Sequence, residues 1–164
     1  MHPDASEVVW QGRLIAVTVE RWGDREREIV EHPGAVAIVS VDTVGEMAFV
    51  RQLREATRGT LLEIPAGTRE AGEDPLATAS RELQEECGLT GGTWTRLGGF
   101  WTTPGFTREY MDVFLAEDVE PGAASPEDDE QIEIVRRPAG DRVALMEGIE
   151  DAKTLAALLL YLSR

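Results

Sequence analysis

The feature that most constrains this chain is a dense acidic segment framed by two glycines, Gly67 and Gly88. Five glutamates lie within residues 67–89, and three of them fall within residues 81–86. Carboxylates this crowded repel one another unless a cation neutralises them, and hard divalent metal ions prefer oxygen ligands. The segment therefore predicts binding of Mg²⁺ or Mn²⁺, in chemistry carried out on a phosphate.

Part of this segment has the marks of a helix. Asp74 is a good N-cap, Pro75 suits the first helical position, and Gly88 is a natural C-terminal stop. These signals predict a helix over residues 75–87. Its apolar face recurs at helical spacing and is formed by Leu76, Ala79, Leu83 and Cys87.

The helix would bring several carboxylates together. Glu82 and Glu86 are four residues apart and lie one above the other, with Glu85 on the flank, and Arg81 is placed to pair with Glu85. Gly67 stands where the chain leaves a predicted strand, and glycine allows either a positive φ or a close approach of the backbone to a ligand. Two or three carboxylates can thus share metal ions. Taken alone, the helix could also be a solvated, glutamate-rich face.

Residues 67–89 resemble the signature of the Nudix hydrolases: glycine, five residues, glutamate, seven residues, then Arg-Glu-apolar-x-Glu-Glu-x-Gly-apolar. That family cleaves nucleoside diphosphates linked to another moiety, using divalent metal. The resemblance implies two or three Mg²⁺ or Mn²⁺ ions, held by the side chains of Glu82, Glu85 and Glu86 and by the carbonyl group of Ala66. It also implies that Glu86 and Glu82 are catalytic, and that Glu73 and Arg81 brace the loop and the helix.

The same resemblance implies an α/β fold, the Nudix-type α/β/α sandwich with a mixed β-sheet. Continuous apolar runs at residues 35–41 and 47–53 predict central strands, and strands mixed with three helices predict a sheet between helical layers. Alternation over residues 8–22 predicts an exposed strand or an antiparallel hairpin at the N-terminus. We expect one domain over residues 1–164, in which the strands of residues 1–34 could serve as a dimerisation element.

The C-terminal part of the chain predicts a loop and two more helices. Residues 120–130 are rich in Pro, Gly and acids, which is typical of a mobile loop. Residues 141–147 form a short predicted helix, and Asp151 caps a predicted helix over residues 152–163. The buried stripe of this last helix is predicted to consist of Leu155, Leu158, Leu159 and Leu162.

Features outside residues 67–89 resemble the ADP-ribose pyrophosphatase branch of the Nudix family. The clearest is Thr-Thr-Pro-Gly-Phe-Thr-Arg-Glu at residues 102–109, whose proline lies fifteen residues beyond Leu89. Judged by its residue types alone, this segment would be an ordinary Pro-Gly turn between strands, but its distance from residues 67–89 favours the resemblance. The resemblance implies that Phe106 and Glu109 lie near the substrate, with Glu109 accepting hydrogen bonds from ribose hydroxyl groups.

Two further stretches, residues 50–54 and 62–67, resemble that branch and add Arg54 and Glu63 to the substrate-binding candidates. A guanidinium suits bidentate recognition of a diphosphate, although Arg54 could equally be a surface arginine. Residues 149–158 also resemble the branch, with a role in packing.

Hydrolysis also needs a general base, and branch members place a glutamate on a flexible loop shortly before a late strand. Glu130 fits that place, with Asp128 and Glu133 as rivals. A mobile loop can deliver a base when the substrate closes the pocket, whereas the simpler alternative is an acidic loop without a catalytic role.

The implied reaction is metal-dependent hydrolysis of the pyrophosphate bond of ADP-ribose, or of a related nucleoside diphosphate sugar, to AMP and ribose 5-phosphate. Two alternatives stay open: a Nudix hydrolase of GDP-mannose, FAD or a dinucleotide polyphosphate, and a non-catalytic ADP-ribose-binding sensor. The tryptophans could stack on adenine, or they could belong to the core or to an interface; they are Trp10, Trp22, Trp94 and Trp101.

Composition limits the partners. A net charge of −15 argues against a nucleic-acid partner, because a surface that follows phosphates should be basic. No apolar run approaches the ~18 residues needed to span a bilayer. The single cysteine, Cys87, excludes an internal disulfide and, with no targeting pattern at residues 1–7, fits a cytoplasmic protein. The branch usually forms homodimers, which the exposed character of residues 8–22 would allow.

Overall fold

The computed structural model describes residues 1–122 and 132–164, which form ten strands and three helices. The strands are β1 (Ala5–Gln11), β2 (Ala16–Trp22), β3 (Arg25–Glu31), β4 (Ala35–Asp42), β5 (Glu46–Arg54), β6 (Gly59–Glu63), β7 (Ala66–Thr68), β8 (Leu89–Trp101), β9 (Tyr110–Pro121) and β10 (Glu133–Pro138). The helices are α1 (Pro75–Cys87), α2 (Arg142–Met146) and α3 (Ala152–Leu162). None of these helices is both long and apolar enough to cross a membrane.

The larger sheet has seven strands and is mixed. Its main order is β10-β5-β4-β9-β8, while β6 pairs with β5 and β7 pairs with β4. The central strands β4 and β9 are parallel, with Ala35 opposite Met111, and the other pairs are antiparallel. Both apolar runs predicted as central strands are strands of this sheet, and the prediction of a mixed sheet is confirmed.

Helices cover both faces of this sheet. Successive residues of β4 point to opposite sides, as the pleat of a strand requires. Val39 packs in a hydrophobic cluster with Leu158 of α3, whereas its neighbour Ile38 packs in a second cluster with Leu83 of α1. All four side chains are fully buried. The α/β/α sandwich is therefore built from the continuous apolar run of β4, which serves two cores at once.

The N-terminal strands form a separate antiparallel sheet in the order β1-β2-β3. The turn between the first two strands is closed by a hydrogen bond from the Gly12 N–H to the Ile15 carbonyl (2.9 Å). Backbone bonds join β3 to the segment before β9, from Val30 N–H to the Phe106 carbonyl (2.7 Å) and from Arg108 N–H to the Val30 carbonyl (2.9 Å). The predicted hairpin is confirmed, with β3 as its third strand.

Helix α1 begins and ends where its capping residues predict. Asp74 Oδ1 accepts hydrogen bonds from the Leu76 N–H (2.9 Å) and the Ala77 N–H (3.2 Å), and Gly88 ends the helix with φ 61°. The predicted apolar face is correct for its later turns but wrong for Leu76, which is 42% exposed. Leu76 lies in the first turn, so the buried stripe begins one turn later, at Thr78 and Ala79.

The last helix and two strands differ from the prediction in detail. The buried residues of α3 are Thr154, Ala157 and Leu158, whereas Leu159, predicted to be buried, is 68% exposed. Leucines occupy both faces of this helix, so the sequence does not show which face is buried. Strand β9 continues to Pro121 and so includes the start of the predicted loop 120–130. Strand β8 runs from Leu89 to Trp101 and contains four glycines.

Candidate active site

Gly67 allows a carboxylate of α1 to lie against the backbone of β7. A Cβ atom at Gly67 would stand 1.9 Å from Glu82 Cδ, which no side chain could tolerate. Of the two reasons for a glycine that the sequence left open, close approach applies, and the group that approaches is the carboxylate of Glu82.

Glu86 is held against the same short strand. It is 4% exposed, and its Oε2 accepts a hydrogen bond from the Ala66 N–H (3.1 Å). Because Glu82 and Glu86 are separated by one helical turn, both carboxylates reach the two-residue stretch formed by Ala66 and Gly67. The structure thus brings three of the four predicted metal-ligand residues to one place.

Arg81 pairs with two carboxylates of the acidic face and ties that face to the preceding loop. Its Nη1 donates to Glu82 Oε1 (2.8 Å) and Glu85 Oε2 (2.8 Å), and its Nε and Nη2 each lie 3.3 Å from a Glu73 oxygen. The hydrogen bond from Arg81 lowers the pKa of Glu73 to about 2. Burial opposes the charge of Arg81, but its bonds to Glu73 and the charge of Glu82 outweigh burial and raise the pKa of Arg81.

The donors suit a hard divalent cation, although they are not gathered into a finished metal site. Within residues 1–122 and 132–164, no three His, Cys, Asp or Glu side chains lie close enough to hold an ion. Arg81 supplies the positive charge that keeps Glu82 and Glu85 together. The candidate ligands are all oxygen atoms, which is the donor chemistry of Mg²⁺ or Mn²⁺. The residues therefore fit such an ion if Glu85 gives up its salt bridge with Arg81 and binds the ion instead.

A cleft of about 420 Å³ lies beside this acidic face. Its wall includes the backbone of β7 together with polar side chains from four other parts of the chain. Among the residues that line it are Arg54, Ala66, Gly67, Thr102, Glu109 and Lys153. The cleft therefore unites two of the four predicted substrate-binding residues, Arg54 and Glu109, with the predicted metal-binding strand.

Arg54 is held by a buried carboxylate. Its Nε donates to Glu63 Oε1 (2.9 Å) and its Nη2 to Glu63 Oε2 (2.7 Å). Lys153 Nζ also donates to Glu63 and lies 2.9 Å from Asp151 Oδ2. Burial would raise the pKa of Glu63, but the bond from Arg54 and the charge of Lys153 keep it below its usual value. Glu63 is 1% exposed, so it lies behind the cations of the cleft.

Lys153 is the cleft residue that sequence reasoning missed, because residues 149–158 were assigned a role in packing. One signal in the sequence could have found it. Sixteen residues are Lys or Arg, and Lys153 is the only lysine. A residue type that occurs once, two positions after the predicted helix cap, was a reason to ask what that residue contacts.

The two predicted residues of the 102–109 segment have different positions. Glu109 lines the cleft, and its Oε2 accepts a hydrogen bond from Thr102 Oγ1 (2.7 Å). Phe106 is 54% exposed and, among the described residues, is not one that lines this cleft. Its carbonyl group instead receives the bond from Val30 that anchors the segment to β3.

The candidates for the general base fall mostly on residues 123–131. Glu130 and Asp128 lie outside the described residues. Glu133, the third candidate, begins β10, where its Oε2 lies 3.2 Å from Arg51 Nε.

The tryptophans fall into three environments. Trp94 packs edge-on against the core residue Phe114, with ring centroids 6.5 Å apart. Trp10 and Trp101 are each about half exposed. Trp22 lines a second cavity of about 350 Å³, between the N-terminal sheet and the turn at Pro104. Trp22 is therefore the tryptophan that faces a cavity near the 102–109 segment.

Comparison with known proteins gives the family. The model of the NUDIX domain matches residues 31–158. The chain belongs to the NUDIX family. The resemblance of residues 67–89 to the Nudix hydrolase signature is thereby confirmed.

Two relatives and one solved structure are similar to this NUDIX chain over most of its length. An ADP-ribose pyrophosphatase of Bacillus subtilis (strain 168) is 40% identical, over 94% of this chain and 88% of the relative. A methanol dehydrogenase activator of Bacillus methanolicus is 32% identical, over 93% of this chain and 88% of the relative. The crystal structure of an ADP compounds hydrolase, at 23% identity, covers 99% of this chain and 94% of that one with a TM-score of 0.82. The last comparison confirms the predicted α/β fold.

Proposed function

We propose that this NUDIX chain hydrolyses the pyrophosphate bond of ADP-ribose, or of a related nucleoside diphosphate sugar, to AMP and ribose 5-phosphate. The observation that carries the proposal is the meeting of an acidic helix face with a cationic cleft: Glu82 and Glu86 contact β7, and β7 lines the cleft that holds Arg54. The name of the Bacillus subtilis relative supports ADP-ribose as the substrate.

The proposed cofactor is Mg²⁺ or Mn²⁺, with two or three ions. Glu82, Glu85, Glu86 and the carbonyl group of Ala66 would hold them. When bound, such ions polarise phosphoryl oxygens and lower the pKa of a coordinated water. Glu86 keeps its ligand geometry through the Ala66 N–H, and Glu73 holds Arg81 when Glu85 releases it.

The substrate-binding residues would act on different parts of the ligand. The edge of the Arg54 guanidinium that faces away from Glu63 would donate to the diphosphate. Glu109 would accept hydrogen bonds from ribose hydroxyl groups, and Phe106 would stand at the rim. Because Glu63 is buried behind Arg54, its contribution to binding would be indirect. Water attacks one phosphorus, its proton passes to Glu130 or to a rival base, Asp128 or Glu133, and the other phosphate leaves.

The protein would act as a cytoplasmic homodimer of single-domain chains. Support for the dimer comes from β1, an edge strand of the N-terminal sheet in which Val8, Val9 and Trp10 are each more than half exposed. Exposed apolar strands of this kind commonly mark protein interfaces. Light scattering across a dilution series tests this: a dilute monomer with full activity would exclude the dimer as a functional unit.

A regulatory role is the second candidate, because one relative is named as an activator of another enzyme. One experiment separates the two. Purified protein is incubated with Mg²⁺ or Mn²⁺, a coupled phosphatase, and a panel of ADP-ribose, GDP-mannose, FAD and dinucleotide polyphosphates. Metal-dependent phosphate release that is greatest with ADP-ribose supports the proposal, and greatest release from another compound reassigns the substrate. Tight binding of ADP-ribose, with no turnover in the presence of either metal ion, would support a sensor instead.

A further inference from the structure

Four charged side chains at and behind one wall of the cleft form a connected group. They are Arg54, Glu63, Asp151 and Lys153, which we call the Glu63 cluster. Arg54 and Lys153 both donate to Glu63, and Lys153 also pairs with Asp151, the N-cap of α3. Glu63 is at the centre and is covered from solvent, whereas the other three line the cleft. The cluster therefore has one buried anion that controls two cations at the cleft wall.

Glu63 determines the orientation of Arg54. It occupies Nε and Nη2, which form one edge of the planar guanidinium. A guanidinium carries five N–H groups in a rigid fork, so the Nη1 edge is turned away from Glu63. Two parallel bonds to a buried acceptor fix the plane of the fork. A fixed plane is what bidentate recognition of two phosphate oxygens requires.

Lys153 determines how strongly Arg54 is drawn to Glu63. With Lys153 present, Arg54 shares the Glu63 carboxylate with a second cation, which is also paired with Asp151. Without Lys153, Arg54 alone would neutralise Glu63, in a buried setting where attraction between charges is stronger than in water. Arg54 would then be less available to a second anion. An ammonium group is compact enough to share an oxygen that a guanidinium already uses, which fits the single lysine of the chain.

We propose that Lys153 is a positioning residue: through Glu63, it keeps the guanidinium of Arg54 oriented and available for the diphosphate of the substrate. The inference rests on the proposed function, because it takes a nucleoside diphosphate as the ligand. Although Lys153 also lines the cleft, the inference is that its effect on the ligand passes through Arg54.

A double-mutant cycle on ligand binding tests this. The proteins are wild type, Lys153→Met, Arg54→Met and the double variant, and the ligand is the non-hydrolysable α,β-methylene analogue of ADP-ribose with Mg²⁺. Calorimetry gives each Kd. We expect Lys153→Met to raise Kd about tenfold and Arg54→Met about thirtyfold, the range for lost bonds to charged groups. The double variant should match Arg54→Met, because Lys153 has nothing left to act through.

Arg164→Met is the matched control, since it removes an exposed cation paired with Glu117 and should leave Kd unchanged. Thermal unfolding checks each variant, and Lys153→Gln, which can still donate to Glu63 but carries no charge, is measured in parallel. A further tenfold loss from Lys153→Met in the Arg54→Met background would indicate that Lys153 acts on the ligand independently of Arg54, and would overturn the inference. No effect in the wild-type background, or unfolding of both Lys153 variants, would also overturn it. Failure of the wild type to bind the analogue would contradict the proposed function, and this inference with it.

Discussion

At the scale of single residues, the acidic face depends on one position that has no side chain. Gly67 leaves the space that the Glu82 carboxylate occupies, and its φ is not among the positive values. The glycine is thus required by contact and not by backbone conformation. Substitution by alanine should displace a carboxylate while leaving the chain path possible.

We expect Gly67→Ala to lower kcat by about 10²-fold, because small misplacements of a reacting group cost that much. The proposed assay with ADP-ribose and Mg²⁺ measures it. Gly140→Ala is the matched control, since a Cβ atom there meets nothing within 4 Å and the backbone φ is not positive. Full activity of Gly67→Ala would mean that Glu82 need not lie against β7.

Glu86→Gln tests the metal assignment itself. The amide can still accept the hydrogen bond from the Ala66 N–H, so the fold should persist, but it cannot supply a negative charge to a cation. We expect kcat to fall by about 10³-fold or more, since ion stabilisation is worth several kcal/mol. Glu55→Gln, at an exposed turn, should have no effect. Near-normal turnover by a folded Glu86→Gln protein would refute Glu86 as a ligand.

At the scale of elements, the sequence predicted those features that depend on neighbouring residues in the chain. The ends of α1 were predicted because Asp74 and Gly88 act on their own helix. The phase of α3 was mistaken at Leu159, because leucines cover both faces and the neighbouring sheet decides which face is buried. Lys153 was missed for a related reason: its partner Glu63 is ninety positions away in the chain, and no local pattern records that contact.

The brace between the loop and α1 should show in the pH dependence of stability. Glu73 has its pKa lowered from 4.5 to about 2, chiefly by its hydrogen bond with Arg81. Its contribution to the free energy of unfolding is therefore complete above about pH 4.5 and is lost as the pH falls toward 2. We expect urea unfolding in EDTA to give a constant deficit for Glu73→Gln at pH 5–7 that shrinks below pH 4.5. A deficit independent of pH would exclude this ion pair as its cause.

At the scale of the whole molecule, one arginine joins the N-terminal sheet to the cleft segment. Arg108 Nη2 donates to Glu20 Oε1 (2.6 Å) and Nη1 to Glu31 Oε1 (2.6 Å), while its backbone pairs with Val30. The Glu20 side chain is 3% exposed. Arg108 thus links the N-terminal sheet, through the buried carboxylate of Glu20, to the segment before β9. The next residue in the chain, Glu109, lines the cleft.

Removing that link should destabilise the protein and weaken substrate binding together. We expect Arg108→Met to lower the free energy of unfolding by about 2 kcal/mol, because it leaves Glu20 with less compensation for its burial. The KM for ADP-ribose should rise several-fold as Glu109 loses support. Arg164→Met, in an exposed pair, should change stability by less than about 0.5 kcal/mol. Urea unfolding measures the stability and initial rates measure KM. An unchanged KM would show that the N-terminal sheet does not support substrate binding in the cleft.

The Glu63 cluster joins residues that are far apart in the sequence, because Arg54 and Lys153 both donate to Glu63. A folding intermediate with β5 and β6 paired but α3 undocked would have the hairpin without the second cation. Phosphate-analogue affinity followed during refolding would therefore rise late, with the final long-range closure, and could serve as a reporter of that step.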